Sequence, residues 1–421
     1  MNRHFEYRDS ELHVESIALS KIASEFGTPT YIYSKAMIEE NFHSYTNALG
    51  SFENLICYSV KANSNLAVLN ILARLGAGFD IVSIGELQRV LNAGGDPQKI
   101  VFSGIGKTIE EMRAALNQNI YCFNIESKPE LETLNKVADS MGKVAPVAIR
   151  INPDINASTH PYIATGMREN KFGVPLDESI DLYEVAQQLG NVRIEGIDCH
   201  IGSQLTEIDP IIESLKQVLD LVEKLKTRKI NLKHINLGGG LGVVYRDETP
   251  PSISNYVNSI LKELNHIDTK LILEPGRSIV ANAGILVTKV LYLKTTQHKN
   301  FAIVDAAMND LLRPSLYEAW LEILPTYRNS SKPIETWDVV GPICESGDFL
   351  GLQRDMALKE NDTLAVLGTG AYGFSMSSNY NSRCRAAELI VDKDKVHLAR
   401  RRESIEDLFL GETCMPNSYI G

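Results

Sequence analysis

Between about residues 36 and 280 the chain repeats one theme eight times: a short apolar run, then in most cases a longer amphipathic stretch. The strand-like runs fall at 55–60, 79–82, 100–103, 120–123, 144–151, 193–200, 233–237 and 270–274. Between the first two, Leu66, Leu69, Leu72 and Leu75 recur at three-residue steps, a helical spacing that Gly76 and Gly78 end. Similar helical patterns cover 34–49, 127–141 and 208–226. Strand-then-helix alternation implies parallel strands joined by crossover helices, because a parallel pair needs a long return connection. Eight such strands suit a closed (β/α)8 barrel of the TIM type. A doubly wound open sheet remains the rival on pattern alone.

Past residue 283 the texture changes. Short strand-like runs at 285–294, 301–304, 337–340, 363–366, 388–391 and 395–398 are separated by turns and few helical patterns. We expect a barrel over 34–282 and a C-terminal β-rich domain, a β-sandwich or Greek-key barrel, over 283–421. A short strand at 30–33 suggests that segment 1–33 joins the second domain.

The chain is long enough for two such cores, at 421 residues. Its formal charge of −11 argues against nucleic acid or an anionic membrane as partner, since both repel it. The six cysteines lie far apart, with no C-x-x-C pair, so neither a disulfide framework nor a zinc site is expected, and no metal. No signal-like or membrane-length apolar run occurs, which points to a cytoplasmic protein.

The reactive residue types cluster just behind the predicted strands. Lys61 follows the first, Asp80 lies in the second, His200 ends the sixth, Gly238–Gly240 follow the seventh and Glu274–Arg277 the eighth. In a barrel the C-terminal strand ends form one rim, where active sites are built, and the loops after strands seven and eight hold phosphate. Each residue has an ordinary reading: a solvated lysine, a core histidine, a tight glycine turn, a structural Glu274–Arg277 pair. Their shared place on one rim favours a phosphorylated ligand facing Lys61 and His200. The Gly238-x-Gly240 spacing lacks the full dinucleotide fingerprint, since residue 243 is Val, and it comes seventh in strand order.

The segments 58–65 (Tyr-Ser-Val-Lys-Ala-Asn-Ser-Asn), 78–83, 152–154, 159–162 (Thr-His-Pro-Tyr), 169–173, 199–203, 238–242, 274–277, 313–317, 341–346 and 370–374 together resemble the bacterial diaminopimelate decarboxylases. These are pyridoxal-phosphate enzymes of the alanine-racemase-like fold, in the second class of ornithine, lysine and arginine decarboxylases. Single motifs are shared across the fold; Thr159–Tyr162 with Cys344, Glu345 and Ser346 points to the diaminopimelate branch. The resemblance implies decarboxylation of meso-2,6-diaminopimelate to L-lysine, the last step of lysine biosynthesis. It implies Lys61 as the lysine linked to pyridoxal phosphate, with Glu274 at the pyridine nitrogen, His200 against the ring face and Asp80 near the amine. Ser203, Gly240, Pro275, Gly276, Arg277 and Tyr372 would hold the cofactor, mainly its phosphate. Arg277, Arg313, Tyr317, Glu345 and Tyr372 would bind substrate, and Cys344 would supply the proton that replaces carbon dioxide. It also implies a homodimer in which Cys344, Glu345 and Tyr372 reach the partner's barrel.

Ser59, Ile84 and Trp320 depart from common family residues without removing a chemical group. Trp320, close behind Arg313 in the chain, touches on substrate choice. Ornithine, arginine or carboxynorspermidine therefore remain alternative substrates. A cofactor-binding barrel without catalysis and a cofactor-free Schiff-base aldolase are the other classes.

Overall fold

A computed structural model describes residues 4–155, 170–265, 267–328 and 333–416. The chain divides into two compact units, Lys35–Ala283 and Met1–Ser34 with Gly284–Gly421.

In the first unit eight strands form a closed ring: β1 Asn54–Ser59, β2 Gly78–Ile81, β3 Ile100–Phe102, β4 Cys122–Ile125, β5 Ala145–Asn152, β6 Val192–Cys199, β7 His234–Asn236 and β8 Lys270–Leu273. Every neighbouring pair is parallel, and β8 pairs with β1 to close the circle. Closure leaves no edge strand, so the open-sheet rival is excluded. Helices return the chain between strands, including α1 Lys35–Leu49, α2 Leu66–Arg74, α3 Ile84–Asn92, α4 Ile109–Gln118, α5 Lys128–Ser140, α6 Leu176–Gln188, α7 Asp209–Thr227 and α8 Ile253–Leu264. Asn65, Ser83, Thr108, Ser127 and Ser252 start α2, α3, α4, α5 and α8 by accepting a backbone N–H of the first turn. At α4 Glu111 completes a capping box with Thr108.

The strand expected at 120–123 lies at Cys122–Ile125 instead. In the ring Asn124 is fully buried, and its side-chain amide donates to Ser103 Oγ at 3.1 Å.

The ring's N-terminal end is closed by packing. Cys57, Val101 and Ile272 are buried together, with Leu55 and Tyr121 against them. His234 opens β7, fully buried, with its ring centroid 5.4 Å from that of Tyr121. It fills the space left by Gly196, where a Cβ would sit 2.2 Å from His234 Nε2. Neither ring nitrogen has a hydrogen-bond partner among the described residues. Burial pulls this imidazole's pKa down to about 4, reinforced by Lys270 and Lys233 and opposed by Glu195. The folded value thus lies below the unfolded value of about 6.5. The fold therefore favours the neutral ring, a stabilisation present above pH 6.5 and lost as pH falls towards 4. At its limit the loss is ~3 kcal/mol. We expect the urea midpoint to fall between pH 7 and pH 5, and a His234→Gln variant to lose a clear part of that fall. An unchanged pH slope would show that this ring does not set acid stability.

The second unit is β-rich. Its central strand Gly284–Thr295 pairs antiparallel with Thr30–Ser34, Asn300–Val304 and Thr363–Leu367. Thr30–Ser34 also runs parallel to Ala387–Asp392, so N- and C-terminal segments share one sheet. Strands Phe5–Arg8, Glu11–Val14, Ile323–Pro325 and Phe349–Met356 were not expected from the sequence. Phe349–Met356 shows why: Gly351 interrupts it, Gln353 has φ +53°, and register shifts mark its pairing with Glu335–Val340. An irregular, half-exposed strand carries no clean alternation.

Candidate active site

Several barrel strands carry a polar residue near the C-terminal end. Ser59 ends β1; Asp80, Asn124, Arg150, Asp198 and Asn236 lie in β2, β4, β5, β6 and β7; Glu274 follows β8. All are buried. Buried polar groups must be paired to be tolerated, and several of these are linked to one another. The Ser59 hydroxyl lies 2.9 Å from both Asp80 Oδ2 and the Glu274 carbonyl oxygen. Asn236 donates its side-chain N–H to Glu274 Oε1 at 2.5 Å and accepts from the Gly238 N–H at 2.9 Å.

Lys61 sits on the one-turn helix Val60–Ala62 behind β1. Its ammonium donates to Asp80 Oδ2 at 2.5 Å, and its side chain is 40% exposed while that of Asp80 is fully covered. The amine is thus held at the mouth of the ring, reachable from solvent but anchored. Its charge is felt by His200 and by Glu274.

His200 follows β6, and the Gly239 N–H donates to its Nδ1 at 3.3 Å. Burial, then the positive charges of Arg150 and Lys61, holds this imidazole's pKa well below its usual value. It is therefore neutral, with its proton on Nε2. Glu274 is driven the other way. Burial, then Asp80 and Asp198, raises its pKa well above the carboxylate range, against Lys61 and the Asn236 hydrogen bond.

The loops after β6, β7 and β8 meet closely. Gly238 has φ +64° and Gly240 φ +107°, conformations open to glycine. A Cβ at Gly239 would lie 2.2 Å from the Glu274 carbonyl oxygen, and one at Gly240 2.5 Å from that of Gly202. Pro275 O accepts the Ser59 N–H at 3.2 Å, and Gly276 leads into the short helix Arg277–Val280. The buried Arg277 guanidinium donates to Ser203 Oγ at 3.0 Å and to the Tyr245 hydroxyl at 2.8 Å. The side-chain-free loops leave room for an anion against backbone amides. Asp80 Oδ1 and Asp198 Oδ1 are buried without a hydrogen-bond partner among the described residues. A glycine cradle, an anchored amine and buried acceptors suit pyridoxal phosphate.

The remaining sequence candidates lie in the β-rich unit. Arg313 starts the short helix Arg313–Tyr317, is buried, and places its guanidinium carbon 5.5 Å from the Tyr317 ring centroid. Cys344 is exposed. Its backbone N–H donates to Asn381 Oδ1 at 3.1 Å, while exposed Glu345 accepts from the Tyr380 hydroxyl. Asp348 braces this loop, accepting from the Ile343 and Met308 N–H groups at 2.7 Å each. Tyr372 is half-buried with φ +56°. Trp320 packs under Arg354, whose guanidinium carbon is 4.3 Å from its ring centroid. Residues Thr159–Tyr162 and Glu169 lie outside the described residues.

Sequence reasoning missed Asn124, Arg150, Asp198, Asn236 and Tyr245. For the first four a signal exists: a polar residue in or just behind the C-terminal half of a run predicted to be a barrel strand. For Tyr245 we find none.

Residues 35–281 match the family model "Pyridoxal-dependent decarboxylase, pyridoxal binding domain". The chain is 56% identical to the diaminopimelate decarboxylase of Pseudomonas aeruginosa, over 98% of this chain and 99% of that one. It is 55% identical to that of Vibrio cholerae, again over 98% and 99%. Among solved structures, diaminopimelate decarboxylase from Helicobacter pylori complexed with L-lysine aligns with TM-score 0.90 and 44% identity, covering 93% of this chain and 98% of that one. The enzyme from M. jannaschii, also with L-lysine, aligns with TM-score 0.94 and 38% identity over 99% of each chain.

Proposed function

The chain belongs to the diaminopimelate decarboxylase family of pyridoxal-dependent decarboxylases, and we propose from that premise which of its residues carry the reaction. It converts meso-2,6-diaminopimelate to L-lysine and carbon dioxide. The observation that carries the assignment of residues is the Lys61 amine, anchored 2.5 Å from Asp80 within the electrostatic reach of His200 and Glu274.

Pyridoxal phosphate, when bound, supplies the electron sink that accepts the pair released as carbon dioxide leaves. Lys61 is the nucleophilic amine that holds it, and Asp80 orients that amine. Glu274, whose proton is held on by its surroundings, would sit at the ring nitrogen and could supply that nitrogen with a proton. His200 offers a neutral flat face, because burial and two nearby cations exclude a third positive charge. Backbone N–H groups at Gly240, Gly276 and Arg277, with Ser203 and Tyr372, would hold the phosphate.

For the substrate, Arg277 and Arg313 meet carboxylate oxygens, for which the planar guanidinium is suited. Tyr317 and Tyr372 complete the pocket, Glu345 takes the distal ammonium, and Cys344 returns the proton. The division of labour is a cofactor-binding barrel over 34–282 and a β-rich domain of 1–33 with 283–421. The chain works in the cytoplasm as a homodimer in which Cys344, Glu345 and Tyr372 serve the other copy's barrel.

Carbon dioxide release from meso-diaminopimelate, ornithine, arginine and carboxynorspermidine tests substrate choice. Release from the first alone is expected; preference for ornithine would overturn it. The shared site has its own test. Lys61→Ala and Cys344→Ala proteins, each nearly inactive, should regain up to about one quarter of wild-type turnover per dimer when unfolded together and refolded, because one of two sites in each mixed dimer is intact. A mixture as inactive as its components would place Cys344 in its own chain's site.

A further inference from the structure

We propose that Arg150 is a positioning residue for the decarboxylation: clamped to Glu126 on one side and facing Asp198 on the other, it sets the charge state of the buried carboxyls Asp198 and Glu274 at the barrel mouth. The inference rests on the reading of that mouth as the reaction site.

Arg150 lies in β5 and is 7% exposed. One guanidinium nitrogen donates to Glu126 Oε1 at 2.8 Å, and its Nε lies 3.9 Å from Asp198 Oδ2. The guanidinium carbon stands 4.9 Å from the Phe172 ring centroid. Glu126 cannot follow Asp198, because it is engaged elsewhere. Its Oε1 also accepts the Gly104 N–H at 3.1 Å, and its Oε2 accepts the Gly173 N–H at 2.9 Å. Those two amides belong to the loops after β3 and β5, so Glu126 ties three neighbouring loops together with Arg150 at the centre.

Asp198 has no comparable support. It is 2% exposed, and its Oδ1 has no hydrogen-bond partner among the described residues. A buried carboxyl whose cation stands at 3.9 Å and is shared with Glu126 is poised between its two forms. The charges facing it come from every side: Arg150 in β5, Glu126 after β4, Asp80 in β2, Lys61 after β1 and Glu274 after β8. Cys122, Cys199 and Tyr183 are its uncharged titratable neighbours. Burial pushes Asp198 up to about 7 with Arg150 opposing, while Glu126 and Asp80 add to the rise. Asp198 in turn raises Glu274, and Arg150 helps keep His200 neutral. One guanidinium therefore bears on both groups that flank the cofactor ring.

The test uses Arg150→Met, Arg150→Lys and Asp198→Asn. Infrared titration of the cofactor-free protein follows the protonated-carboxyl stretch between pH 5 and 9. A wild-type step near neutrality should vanish in Asp198→Asn, move up by about one pH unit or more in Arg150→Met, and return towards the wild-type position in Arg150→Lys. The acid limb of kcat/KM in the holoenzyme should move in the same direction. In the Asp198→Asn background, Arg150→Met should move neither. A folded Arg150→Met protein with the wild-type step and pH profile, merely less stable, overturns the proposal. If that variant does not fold, persistence of the step in Asp198→Asn overturns it. The infrared step needs no turnover, so a wild-type chain that shows it but releases no carbon dioxide sinks the functional reading alone.

Discussion

Replacing Lys61 with alanine is expected to abolish covalent retention of pyridoxal phosphate and to lower kcat/KM by about 10⁴-fold or more. The size follows from the amine's double duty. It is the amine that holds the cofactor in our assignment, and its charge compensates Asp80, whose side chain is fully covered. Stripping that charge leaves a buried carboxylate beside Glu274, so the loss combines chemistry with reorganisation of the site. Lys61→Arg separates the two effects. A guanidinium keeps the positive charge opposite Asp80 but is a poor nucleophile at neutral pH, because it stays protonated. Both variants should lose the visible absorption of linked cofactor, and only Lys61→Ala should recover turnover when a small primary amine is added. Retention of the absorption band by Lys61→Ala would remove Lys61 from its assigned role.

Glu274→Gln is expected to lower kcat by roughly 10²- to 10³-fold with little change in KM. The amide keeps the length of the side chain and can still accept from Asn236, which donates to Glu274 Oε1 at 2.5 Å. It cannot deliver a proton and remain as an anion. The surroundings of Glu274 are arranged for that transfer: burial, Asp80 and Asp198 all hold its proton on until a base arrives. Stabilising charge at the ring nitrogen matters in the transition state more than in substrate binding, so the effect belongs in kcat. Wild-type turnover by Glu274→Gln would mean that the ring nitrogen works unprotonated.

The sequence carried the barrel well, because strand and helix have different apolar periods and the alternation recurs eight times. It also located Lys61, Asp80, His200, Gly238–Gly240 and Glu274–Arg277, because in a parallel barrel the end of every strand falls on one rim. Asn124, Arg150, Asp198 and Asn236 went unread for the reason that makes them useful. A polar residue in an apolar run looks like an interruption until the ring closes and supplies its partners. The irregular strands of the β-rich unit were hidden for a different reason, since a bulged and half-exposed strand has no fixed period.

What the amino-acid order determined by itself is therefore local and periodic: the eight-fold alternation, the change of texture after residue 283, and the residue types placed behind each strand. What only the tertiary structure decided is which of those groups meet and in what protonation state. Lys61 and Asp80 are 19 residues apart in the chain and 2.5 Å apart in space. Glu274 and Asn236 are 38 residues apart and hydrogen-bonded. Charge and acidity depend on burial and on neighbours a few ångströms away, and those quantities exist only once the ring has closed.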